Sequence, residues 1–92
     1  MKDIALNTLR KKINKIDDKI ISLLSERMNV VKSIGEEKAI IKHETLDTNR
    51  QKNVLKRWQN KAKKHNLSED LIEKIYTFIH DHAVQLQKEN HK

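Results

Sequence analysis

The chain holds 92 residues, 36% of them hydrophobic and 36% charged, with a formal net charge of +7, one Gly, and neither Pro nor Cys. That length allows one small domain, residues 1–92, with a lean core. The absence of Cys excludes a disulfide framework and a thiolate metal site. A single Gly excludes a Gly-rich phosphate loop, and the scarcity of turn residues points to an all-α fold of three helices.

The first apolar stripe runs Leu9, Ile13, Ile16, Ile20, Leu24 and Val31, with Met28 and Ile34 at its edges. Steps of three, four and seven mark an amphipathic helix over about residues 4–41. At ~1.5 Å per residue such a rod is about 50 Å long. A compact globule of this size has a radius of gyration of only about 12 Å. The remaining residues are too few to cover the rod, so it is expected to lie against a second copy of itself.

The stretch KHETLDTN, Lys42 to Asn49, breaks the pattern with cap and turn formers. A second helix is expected over about 48–64, with apolar positions Val54, Leu55, Trp58 and Ala62. Its end, KAKKHN, puts cations at the negative end of the helix dipole, and Asn66 suits the left-handed C′ position. A third helix is expected over about 69–88. Ser68 is its N-cap, Glu69 and Asp70 favour its first turn, and Leu67 faces Ile72 as a staple. Its stripe reads Leu71, Ile72, Ile75, Phe78, Ile79, Ala83 and Leu86, and the tail from Lys88 to Lys92 is expected to fray.

The N-terminal MKDIALNTLRKK lacks the apolar run of a signal peptide, and no segment approaches a membrane span, so a cytoplasmic protein is expected. The positive charge raises the question of nucleic acid. Lys is spread along the whole chain and aromatics are only 3%, which favours lysines that solvate outer helix faces.

Two cations interrupt the first apolar stripe. At about 100° per residue, with Leu24 at zero, Val31 falls near about −20°, Ile20 near about −40° and Leu9 near about −60°. Arg27 falls near about −60° and Lys38 near about −40°. Both lie inside the stripe and point the same way, about 16 Å apart along the axis. Arg10 lies on the other edge of the stripe, about 25 Å from Arg27. A charge facing a core costs several kcal/mol unless it is paired. Buried acids are one source of partners, and Asp17 lies on the same stripe. The other source is a ligand: a small dicarboxylate would engage such cations through forked, charge-assisted hydrogen bonds. In helix two, Arg50 and Gln51 enter beside the apolar side, and in helix three Ala83 and Gln87 share a face.

LRKKINKIDDKIISLLSERMNVVKSIGEEK, Leu9 to Lys38, resembles helix one of the all-helical chorismate mutases. The family's pattern is matched by Leu9-Arg10, Ile16-Asp17, Leu23-Leu24, Glu26-Arg27, and Lys38 eleven residues after Arg27. It continues through DTNRQ, Asp47 to Gln51, and ends with AVQLQ, Ala83 to Gln87. The resemblance implies an intertwined homodimer whose long first helices pack together, with Arg10 reaching the partner's active site. It implies the Claisen rearrangement of chorismate to prephenate, an isomerase reaction on the route to phenylalanine and tyrosine. That reaction is intramolecular and needs no metal or cofactor. By resemblance, Arg10, Arg27 and Arg50 position the substrate carboxylates, and Lys38 and Gln87 donate toward the ether oxygen. The backbone near Asp47 and the side chain of Gln51 face the substrate hydroxyl.

Two positions depart from the pattern. The family commonly has Glu at Gln51 and often Ser at Ala83. Gln51 still bonds a hydroxyl but removes a negative charge, and Ala83 removes one carboxylate contact. The change at Gln51 keeps open a second reading, an isochorismate-pyruvate lyase on the same scaffold. A basic helical module binding nucleic acid is a third, and a purely structural dimerisation bundle a fourth. The nucleic-acid reading leaves the inward-pointing Arg27 and Lys38 without a role.

Overall fold

The computed structural model describes residues 2–44 and 46–89, with the side chain of Lys2 left aside. Three helices follow in order: α1 (Lys2–Ile40), α2 (Thr48–Lys64) and α3 (Glu69–Lys88). The fold is all-α, as the periodicity predicts. Asn90–Lys92, the end of the tail expected to fray, lies outside the described residues. Among the described residues, no helix is long and apolar enough to cross a membrane.

The chain divides into two compact units, Met1–Val30 and Val31–Lys92. The first unit carries the N-terminal part of α1. Its apolar residues are exposed within the single chain: Leu9 is 56% exposed, Ile13 58%, Ile16 55% and Ile20 50%. Leu24, Arg27 and Met28 are half-buried.

The second unit holds the last turns of α1 with α2 and α3, and α2 packs against α3. Its helix ends follow from local chemistry. At the end of α1, the His43 amide donates to the Lys38 carbonyl at 2.8 Å and the Lys42 amide to the Ala39 carbonyl at 3.3 Å. This is a Schellman motif, with Lys42 in the left-handed region at φ 56°. α2 closes in the same way. Leu67 N–H donates to the Ala62 carbonyl at 2.8 Å, Asn66 N–H donates to Lys63 at 3.3 Å, and Asn66 has φ 56°. α3 opens with Ser68, whose Oγ accepts from the Leu71 amide at 3.2 Å. An N-cap of this kind is worth about 1 kcal/mol.

The core of this unit is small. Ala62 is 2% exposed, Tyr76 3%, Ala83 6% and Val31 7%. Of the stripe expected on α3, Ile72, Ile79, Ala83 and Leu86 are half-buried or buried, and the other three are corrected here. Phe78 is 78% exposed, Leu71 48% and Ile75 40%, whereas Tyr76 is buried. The inward face of α3 is set by Ile72, Tyr76, Ile79 and Ala83, at steps of four, three and four, and this rotates Phe78 outward. Tyr76 earns its place because its ring meets Trp58 edge-on at 5.3 Å and stacks on His80 at 5.6 Å, while its hydroxyl finds a partner.

Candidate active site

Two of the residues singled out in the sequence meet directly. Lys38, in the last turn of α1, is half-buried and sends Nζ to Gln87 Oε1 at 2.8 Å. The partners are 49 positions apart in the chain. Gln87 is buried, and Ala83 lies one turn before it on the same face of α3. On α1, buried Gly35 lies one turn before Lys38. Gly35 and Ala83, both buried, carry no more than a methyl group. An ammonium has three N–H donors, so bonding Gln87 occupies only part of its capacity. With Oε1 accepting from Lys38, the amide Nε2 of Gln87 is the end that donates.

The start of α2 gathers three more. Asp47 is the N-cap, and its Oδ1 accepts from the Arg50 amide at 3.0 Å. Its carbonyl accepts from the Gln51 amide at 2.9 Å. The Asp47 side chain is therefore engaged in holding the helix start. His43 Nε2 lies 3.9 Å from Asp47 Oδ2, both groups being substantially exposed. Gln51 is half-buried, and its carbonyl accepts from the Tyr76 hydroxyl at 3.2 Å. Arg50 is exposed at the first turn, at the positive end of the helix dipole, where anions are favoured.

Arg10 and Arg27 belong to the first unit. Arg10 is exposed, and Arg27 is half-buried with Nη1 withdrawn from solvent. They are separated by about 25 Å along α1 at ~1.5 Å per residue. Among the described residues, no three His, Asp or Glu are placed to hold a metal ion. Sequence reasoning missed Tyr76, which ties α3 to the start of α2. Its signal was there: Tyr76 completes the spacing Ile72, Ile79, Ala83, a pattern passed over in favour of the more apolar Ile75 and Phe78.

The chemistry on offer is cationic and hydrogen-bond donating, with a Lys and a Gln amide held together at one place and an Arg at a helix N-terminus at another. Such groups bind and polarise an oxygen-rich anion. Residues 9–88 match the family model for chorismate mutase type II. A chorismate mutase of Methanocaldococcus jannaschii is 34% identical over 84 residues, covering 91% of this chain and 85% of that protein. A bifunctional chorismate mutase/prephenate dehydratase of Buchnera aphidicola (subspecies Acyrthosiphon pisum) is also 34% identical over 84 residues, and one of Escherichia coli K12 is 29% identical over 83. The aligned region covers only 22% of each bifunctional protein. These relatives lend no support to the lyase, nucleic-acid or structural readings.

Proposed function

The chain belongs to the chorismate mutase type II family, and from that premise we propose that it is an isomerase converting chorismate to prephenate in aromatic amino acid biosynthesis, working in the cytoplasm. The rearrangement breaks the C–O bond of the enol ether and forms a C–C bond within one molecule. No proton, electron or group enters or leaves. The protein's work is to hold a flexible dianion in its folded, reactive conformer and to stabilise negative charge growing on the ether oxygen.

The observation that carries this reading is the 2.8 Å bond from Lys38 Nζ to Gln87 Oε1. It holds a cation and an amide side by side before any substrate arrives, so that an N–H of Lys38 and the Nε2 of Gln87 donate to the same oxygen. Arg27 and Arg50 engage carboxylates. The backbone at Asp47 and the side chain of Gln51 receive the hydroxyl, and the methyl of Ala83 lines the wall.

Arg10 acts from a partner subunit in an intertwined homodimer. Supporting this, the stripe Leu9, Ile13, Ile16 and Ile20 is left half or more exposed in the single chain, a cost that a second copy removes.

The test follows chorismate loss by absorbance with the purified chain beside Lys38→Ala. A donor of this kind is worth about 3–4 kcal/mol, so the variant is expected to lose roughly two to three orders of magnitude in rate. Near-normal turnover by Lys38→Ala would remove Lys38 from the role, and no prephenate from the unaltered chain would remove the function.

A further inference from the structure

Seven of the chain's twenty Lys and Arg lie in α2, which contains none of its thirteen Asp and Glu. The remaining thirteen cations balance the thirteen acids. The whole formal charge of +7 is thus the charge of one 17-residue helix.

The charge is also ordered. Arg50, Asn53, Arg57, Lys61 and Lys64 follow at steps of three, four, four and three, which sets them on one face of α2. All five are exposed. Asn53, Lys56, Arg57, Asn60, Lys61 and Lys64 line an open groove of about 330 Å³ along this face, its walls largely the aliphatic stems of these cationic and amide side chains. Lys63 stands apart, paired with Glu69 at 3.1 Å. The face leads back to Arg50, at the positive end of the helix dipole and next to Asp47 and Gln51.

We propose that this face is an electrostatic track, with Arg57, Lys61 and Lys64 drawing the dianionic substrate along α2 toward Arg50. The inference rests on the function proposed above. A helix of one sign raises the local concentration and on-rate of an opposite charge without touching it in the reactive state. At ~1.5 Å per residue, Arg57 lies about 10 Å from Arg50 along the axis, Lys61 about 16 Å and Lys64 about 21 Å. The Debye length is about 30 Å at 10 mM salt and about 8 Å at 150 mM. All three cations therefore reach a dianion at Arg50 in dilute salt, and at physiological salt mainly Arg57 does. Isomerisation leaves the charge unchanged, so the track attracts product as strongly as substrate. Product inhibition should weaken in step with KM when the track is neutralised.

The test is steady-state kinetics of the full chain and of Arg57→Gln/Lys61→Gln/Lys64→Gln at 10 and 150 mM salt. Screened Coulomb arithmetic for a dianion predicts a fall in kcat/KM of about six-fold at 10 mM, shrinking to under about two-fold at 150 mM, with kcat within about two-fold throughout. The charge-conserving Arg57→Lys/Lys61→Arg/Lys64→Arg should match the unaltered chain at both salts. Should the triple Gln variant lose helicity by circular dichroism, Lys61→Gln/Lys64→Gln replaces it, with a fall of about two-fold at 10 mM and almost none at 150 mM. Turnover by the unaltered chain, together with a neutralised variant that keeps its kcat/KM and salt slope, overturns the track alone. An unaltered chain that leaves chorismate unconverted overturns the proposed function, and the track with it.

Discussion

In the first unit Leu9, Ile13, Ile16 and Ile20 stay 50–58% exposed, whereas in the second Ala62, Tyr76 and Ala83 fall to 2–6%. Both stretches are amphipathic helix, so propensity does not separate them. The difference is what the chain supplies to cover each face. α2 and α3 follow one another across a short capped turn and cover each other. The stripe of residues 9–20 has no such neighbour in the first unit, which consists of the first part of α1 alone. The lesson is that an apolar face in a small chain serves either its own core or another molecule's. The polar residues divide in parallel: Lys38 and Gln87 are brought together within the second unit, while Arg10 sits exposed in the first.

The proposed site can be divided between two chains. Arg10→Ala and Lys38→Ala should each be nearly inactive alone. Refolded together in equal amounts, they should recover about a quarter of the unaltered activity. Half of the random dimers are mixed, and each mixed dimer holds one intact site. No recovery, in a mixture shown to be dimeric by sedimentation, would place Arg10 in the same chain's site, and near-normal turnover by Arg10→Ala alone would place it outside the site altogether.

Within the second unit, Tyr76→Phe keeps the ring against Trp58 and His80 and removes the bond to the Gln51 carbonyl. A net loss of about 1 kcal/mol is expected in denaturant unfolding. Amide exchange should quicken at the first turns of α2 more than in the middle of α3. Uniform exchange would show that Tyr76 packs without anchoring.

The smallest effect concerns the turn after α1. Lys42 carries φ 56°, a region that costs a residue with a Cβ. Lys42→Gly is expected to raise stability by roughly 0.5–1 kcal/mol, less the extra freedom of Gly in the unfolded chain. A lower melting temperature would mean the Lys42 side chain gives more than its backbone costs.

Much of the molecule was legible in the sequence because the signals are local. The step of three and four residues marks each helix. Ser68 and Asn66 mark the boundary between α2 and α3 through bonds that span only a few positions. The placement of Arg27 and Lys38 inside an apolar stripe is arithmetic on a single helix. The left-handed Lys42 was not legible, because Lys is an unusual occupant of that position. Tyr76 was not, because hydropathy ranks Ile75 and Phe78 above it, and only the angle at which α3 meets α2 chooses among neighbours one position apart.

Local pattern thus sets three amphipathic helices, where two of them are capped, and which cations stand out of place. That Lys38 reaches Gln87 across 49 positions, and that a tyrosine hydroxyl ties the two later helices together at Gln51, follows from how the helices pack. Local patterns set which face of a helix is apolar. Packing sets which faces meet, and a hydrogen bond between distant residues exists only once they do.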